Sequence, residues 1–106
     1  MDYAFYNVEN VMWEKRGVSA ILISLLDLNS EVSVSKLLDI TKMSNPTFYD
    51  RKDGLVEAGL IKIKERPTER KNGVTFGKTV YISLTPKGKK VAEKLKEIKE
   101  IMEREE

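Results

Sequence analysis

Six cations, Lys62, Lys64, Arg66, Arg70, Lys71 and Lys78, fall within seventeen consecutive positions, and the first three alternate with Ile61 and Ile63. Alternation at a spacing of two sorts side chains onto opposite faces of a strand, so the cations share one face and the isoleucines the other. Positive charge arranged in this way suits phosphate: each neutralised phosphate releases a condensed counterion, which yields affinity without sequence selectivity. A second group lies upstream, where Ser44, Asn45, Pro46, Thr47, Tyr49 and Asp50 put hydrogen-bonding side chains into the first turns of a segment that reads as a helix. Asn can pair bidentately with adenine, Thr or Tyr can touch a thymine methyl group or donate to a phosphate, and Asp can accept from cytosine N4. The bland alternatives stay open at this level. A solvated basic hairpin would carry the same charge, and Ser44 and Asn45 are also good helix caps.

Other chemistry is excluded by residue type. The chain has 106 residues with no cysteine and no histidine, which removes disulfides, Cys/His metal sites, thiol nucleophiles and histidine-based triads. The remaining carboxylates are scattered over helical faces with no Gly-rich phosphate loop beside them, so no catalytic residue, metal or cofactor is expected. The longest apolar run, 18–28, is interrupted by Ser19, Ser24 and Asp27 and is far short of the ~20 residues that cross a bilayer. The N-terminus shows no basic cluster followed by an apolar run, so a cytoplasmic protein without membrane contact is expected.

The formal net charge of +2 conceals an uneven distribution. Residues 1–61 carry −3, residues 62–90 carry +7 and residues 91–106 carry −2. Hydrophobic residues make up 41% of the chain, enough for one modest core, and one domain is expected over 1–106. Within it, 1–16 reads as an N-terminal segment, 17–84 as the core module and 85–106 as a C-terminal helix.

The elements that must position the two polar groups follow from periodicity. Val18, Ile21, Leu22 and Leu25 mark a first helix, which Asn29 and Ser30 end. Ser33 can cap a second helix to about Lys42, with Val34, Leu37, Leu38 and Thr41 on one face, and 31–34 offers a short β-like turn before it. Ser44 caps a third helix, with Pro46 in its first turn and Gly59 just past its end. Taking Phe48 as the core direction, Ser44, Arg51, Lys52 and Leu55 fall near it, while Pro46, Thr47, Tyr49, Asp50, Asp53 and Glu57 point away. Two strands follow, one ended by Pro67 and one from about Lys78 to Leu84, joined by a long tip around Asn72-Gly73. Thr85-Pro86 opens the last helix, on which Val91, Leu95, Ile98 and Met102 form a narrow stripe spanning fewer than three heptads.

Three helices, a basic β-hairpin and a long final helix give an α+β, mainly helical order. The stretches SVSKLLDITKMSNPTFYDRKDGLVEAGLI and ISLTPKGKKVAEKL, above all EAGLI and LTPKGK, resemble the DNA-binding core of MarR-like transcriptional regulators over residues 18–95. The chain is shorter than most such proteins and looks like the short type of archaea and their viruses. The resemblance implies a winged helix-turn-helix, double-stranded DNA as partner, the third helix in the major groove and the hairpin as a wing. Ser35, Lys36 and Lys42 then become further backbone contacts. Lys52 departs from the family, which usually has leucine there, so its stem would pack while its ammonium reaches a phosphate. Gly54 is a second departure, costing ~1 kcal/mol relative to Ala inside a helix.

The same resemblance implies a homodimer, with Tyr3, Phe5, Tyr6 and Trp13 of the N-terminal segment and Val91, Leu95, Ile98 and Met102 of the last helix as its apolar surface. It also leaves room for a small-molecule effector, for which Tyr6, Met12 and Trp13 could line a cleft. Two rival functions remain at this level: an architectural DNA-coating protein and a winged-helix module that binds protein. The low net charge favours a regulator over a coating protein.

Overall fold

A computed structural model describes residues 17–69 and 75–104. The roles expected for Tyr3, Phe5, Tyr6, Met12, Trp13, Arg70 and Lys71 lie outside the described residues. The chain runs α1 (Val18–Leu28), β1 (Val32–Ser33), α2 (Val34–Thr41), α3 (Asn45–Glu57), β2 (Ile61–Glu69), β3 (Thr75–Leu84) and α4 (Pro86–Glu103). This is an α+β, mainly helical winged-helix arrangement. Its hairpin wing belongs to a three-stranded antiparallel sheet of order β1-β3-β2.

Local chemistry sets the helix boundaries. The Ser33 and Ser44 hydroxyls accept the N–H groups of Lys36 and Thr47 at 3.2 and 3.3 Å, each satisfying a donor that the first helical turn leaves orphaned. At its far end α1 stops on Asn29, whose backbone enters the left-handed region at φ 50° and donates to the Leu25 and Leu26 carbonyls. α3 runs unbroken through Gly54 and closes at Gly59, where φ of 75° suits a residue without a Cβ.

The predicted stripe of α1 forms the centre of the core. Val18, Ile21, Leu22 and Leu25 are buried there with Leu37 of α2, Phe48 and Leu55 of α3, Ile82 of β3 and Ala92 of α4. Leu26 packs on the margin of this cluster.

The sheet departs from expectation in two places. Val32 and Ser33 pair with Ile82 and Tyr81, so the residues read as a β-like turn add a third strand to the hairpin. Pro67 does not break β2, which continues to Glu69 with Pro67 opposite Lys78. β2 is an edge strand, where proline's missing N–H need cost no ladder bond, and the register shifts between Pro67 and Glu69. The partner strand accordingly starts at Thr75, ahead of Lys78.

The two segments that carry the family resemblance meet in space. Thr85 Oγ1 donates to the Gly59 carbonyl at 2.5 Å and accepts from the Gly88 N–H at 2.9 Å. Thr85 N–H donates to the Leu60 carbonyl at 3.1 Å, and Lys87 Nζ donates to the Ala58 carbonyl at 2.9 Å. EAGLI and LTPKGK thus form one joint, in which the start of α4 satisfies the backbone groups released where α3 ends.

Further along, α4 is tied to α1 by Lys96 Nζ, which donates to Asp27 Oδ1 at 2.7 Å. The hydrogen bond and charge of the Asp27 carboxylate hold the Lys96 pKa above its usual value, so the ammonium keeps its proton to higher pH. Beyond it the helix leaves the core. Among the described residues no helix is long and apolar enough to cross a membrane.

Candidate nucleic-acid interface

The N-termini of α2 and α3 open on the same side of the molecule and flank a groove floored in part by β3. Ser35, Asn45, Tyr49 and Lys78 line it together with Ser33, Val34, Leu38, Thr79 and Val80. An adjoining hollow brings in Lys36 and Ser44 beside Ser35 and Asn45. Residues scattered over some forty positions of sequence therefore form one polar surface with two helix N-termini at its centre, whose partial positive charge favours anions.

Tyr49 is the most constrained side chain on this surface. Its ring meets Phe48 edge-on, with centroids 5.2 Å apart at 80°, and Phe48 is fully buried. On the other side the Lys52 ammonium lies 5.3 Å from the Tyr49 centroid. Tyr49 is still 47% exposed, so an aromatic ring is presented to solvent in a fixed direction. Asn45, Pro46 and Asp50 are exposed on the same helix.

Thr47 differs from expectation. Helical rotation puts it on the outward side, yet it is half-buried, and its Oγ1 accepts from the Ser44 hydroxyl at 2.9 Å. It lines a different hollow with Gly17, Ala20, Met43 and Arg51. The cause is the cap itself: the Ser44–Thr47 exchange turns the threonine hydroxyl back toward the helix start.

Two of the three outward carboxylates of α3 lie beside cations. Asp50 pairs with Arg51, and Asp53 lies 3.8 Å from Lys52. Lys52 behaves as its family departure suggests in one respect, since its side chain is only 29% exposed. Its ammonium is engaged by Tyr49 and Asp53 in the unliganded surface. Lys42 is exposed, at the left-handed residue that ends α2, beside Asp39 at 3.9 Å.

The basic residues of the sheet divide between its faces. Register pairs Lys62 with Ser83, Lys64 with Tyr81 and Arg66 with Thr79, on the side opposite Ile63 and Ile82. Lys78 alternates onto the other face with Val80, lies 3.5 Å from Glu65 and reaches the α3 groove. Lys62 instead lines a separate hollow at the base of the sheet, with Leu25, Glu31, Leu84 and Lys89. Arg66 Nη1 binds Glu31 Oε1 at 2.7 Å, and its guanidinium carbon lies 5.0 Å from the Tyr81 centroid. Glu31 and Tyr81 carried no signal in the sequence, because their partner lies on a strand more than a dozen residues away.

The apolar stripe of α4 also divides. Val91 and Leu95 pack against the chain's own core, whereas Ile98, Ile101 and Met102 are 55%, 52% and 79% exposed. Among the described residues no group of three or more His, Cys, Asp or Glu side chains could hold a metal ion.

No family model matches the sequence, and neither does any curated protein. Solved structures do. F-93 of SSV1 is 31% identical, with 79% of this chain and 87% of that one covered and a TM-score of 0.52. AF1382 from Archaeoglobus fulgidus is 20% identical over 97% of this chain and 98% of that one, with a TM-score of 0.62. The transcriptional repressor BigR from Xylella fastidiosa is 18% identical over 91% of this chain and 84% of that one, with a TM-score of 0.57.

Proposed function

Because the chain belongs to the MarR-like winged helix-turn-helix superfamily together with F-93 of SSV1, we propose that it is a sequence-specific, double-stranded DNA-binding transcriptional regulator that acts as a homodimer in the cytoplasm. The observation that carries this reading is the convergence of Ser35, Asn45, Tyr49 and Lys78 on one groove at the N-terminus of α3, with Lys36 in the adjoining hollow. α3 enters the major groove by its first turns. Asn45 and Tyr49 reach base edges, with Asp50 at the margin, and Ser44 and Thr47 hold the cap that aims them. Ser35, Lys36, Lys42 and Lys78 meet phosphates, and the family resemblance assigns Arg70 and Lys71 to DNA contacts of the wing as well. Lys52 is exchanged from Tyr49 and Asp53 onto a phosphate when DNA arrives. Lys62 and Lys64 lie back along the wing and contribute mainly to the long-range field.

The dimer is supported by the exposed Ile98, Ile101 and Met102, which a second copy would cover. Binding of a transcriptional repressor's kind involves no chemical step, so no enzymatic activity, cofactor or metal is proposed. A small-molecule effector would act through the hollow between the base of the sheet and the start of α4, lined by Leu25, Lys62 and Lys89.

The test is a fluorescence-anisotropy titration with the DNA upstream of the protein's own gene and with scrambled DNA of equal length, at two salt concentrations. The regulator reading expects at least ~10³-fold tighter binding to the upstream fragment. Asn45→Ala should reduce that ratio by about tenfold or more with little change on scrambled DNA. Lys78→Ala should weaken both equally and lower the salt slope by ~0.9. Equal, steeply salt-dependent binding would establish an architectural protein instead, and absence of binding would leave the protein-binding module.

A further inference from the structure

We propose that Arg66 is a positioning residue that sets the angle of the wing against the helix-turn-helix unit, and that Glu31 is its anchor. The inference rests on the DNA-binding reading and deepens it. It also removes Arg66 from the phosphate contacts that its basic character suggested.

The argument begins with where the sheet changes width. β1 covers β3 only at Ile82 and Tyr81, so the sheet has three strands there. From Val80 outward β3 has β2 alone as a partner, and the pairing becomes irregular between Pro67 and Glu69. A two-stranded ribbon is at best marginal in water, and its twist is larger and less fixed than that of a wider sheet. The direction of the wing is therefore decided at the fork, and Arg66 stands two residue pairs beyond Tyr81, the last position that β1 covers.

From that position the Arg66 side chain spans the whole sheet. It starts on β2, lays its guanidinium over the Tyr81 ring on β3 at 5.0 Å and ends at Glu31 Oε1, 2.7 Å away, immediately before β1. Glu31 is fixed in turn, its side chain being only 23% exposed. The segment it occupies leads through Val32 into Ser33, which caps α2. One side chain thus connects the root of the wing to the strand that enters the helix-turn-helix. A guanidinium suits this task because its planar fork can stack on a ring and donate to a carboxylate together, which an ammonium does less well.

The geometry is poor for a phosphate contact. Arg66 is not among the residues that line the α3 groove, to which β3 contributes Lys78, Thr79 and Val80. A phosphate would have to take the guanidinium from both Glu31 and Tyr81.

Glu31→Gln separates the two roles. It is nearly isosteric and removes only the charge. If Arg66 contacted phosphate, releasing it from Glu31 would strengthen DNA binding. As a brace, its release should weaken binding to upstream DNA by about threefold to fivefold, the scale of one partly exposed ion pair. Arg66→Lys should show a similar loss although charge is retained. Both variants should keep the salt slope of the wild type, whereas loss of a phosphate contact lowers it by ~0.9.

A second measurement does not depend on DNA. Amide hydrogen exchange in β2 and the outer part of β3 should accelerate in Glu31→Gln and Arg66→Lys, with exchange in α1 unchanged. Tighter DNA binding by Glu31→Gln, a reduced salt slope in Arg66→Lys, or unchanged wing exchange would each overturn the proposal. Faster wing exchange in a protein whose wild type binds no DNA would retain the brace and refute the DNA-binding reading alone.

Discussion

Gly88→Ala is expected to lower the unfolding free energy by at least about 3 kcal/mol, the upper end of the range for forcing extra atoms into a packed interior. A Cβ placed on Gly88 would lie 1.8 Å from the Leu60 carbonyl oxygen and 2.8 Å from its carbon, both backbone atoms that no rotamer change can move aside. Two responses are open to the chain, and each is costly. The first turn of α4 can retreat, which breaks the Thr85 bonds to the Gly59 carbonyl and the Leu60 carbonyl. Alternatively Leu60 can move, which displaces a side chain buried in the core. In a helix interior Ala is otherwise favoured over Gly by ~1 kcal/mol, so propensity alone predicts stabilisation and steric contact predicts the reverse. Thermal unfolding monitored by circular dichroism decides between them: a fall in Tm of about 12 °C or more is expected from this free-energy change in a small domain. An unchanged or raised Tm would mean that the α3–α4 joint yields more easily than its hydrogen bonds imply.

That joint illustrates what the sequence discloses and what it withholds. Ser33, Ser44 and Thr85 announce three helix starts, because capping is a contact between residues three apart and is written locally. The buried stripe of α1 is equally local, since helical periodicity states which residues share a face. Gly88 is present in the LTPKGK segment that carries the family resemblance, but its reason, the carbonyl of Leu60, lies 28 positions earlier in a different segment. The same applies to β1. Two residues have no periodicity to display, and Val32 and Ser33 become a strand only because β3 offers an unpaired edge. Pro67 reads as a strand terminator by propensity and is tolerated because β2 is an edge, a fact of sheet order rather than of sequence.

The interface shows the same division. Asn45 and Tyr49 were legible as exposed residues on the first turns of α3, and their exposure agrees with that reading. The orientation of Thr47 was not, because a 100° rotation per residue ignores the hydroxyl exchange with Ser44 that draws it inward. Basic residues were legible as charge and as alternation. Which of them line the groove was not: Lys78 does, whereas Lys62, Lys64 and Arg66 do not.

The second large effect concerns α4, whose stripe of Val91, Leu95, Ile98 and Met102 reads as one surface but divides between core and solvent. Val91 and Leu95 pack on the chain's own core, so Leu95→Glu would unfold the protein as readily as it would separate subunits. Ile98 and Met102 lie beyond the Lys96–Asp27 tie and are 55% and 79% exposed, so their replacement leaves the fold intact. The double substitution Ile98→Glu with Met102→Glu is therefore expected to give a monomer with Tm within a few degrees of the wild type. On a palindromic site the proposed dimer would gain from presenting a second copy of α3 at high effective concentration, an advantage of about 10²- to 10⁴-fold. Affinity for upstream DNA should accordingly fall by about a hundredfold or more, although no residue of the groove has changed. Sedimentation equilibrium and anisotropy on the same preparations check the two halves of the argument. A variant that stays dimeric would refute pairing through the end of α4. A monomer that binds as tightly as the wild type would mean that each winged helix reads its DNA alone, and the exposed apolar residues of α4 would then need a different partner to explain them.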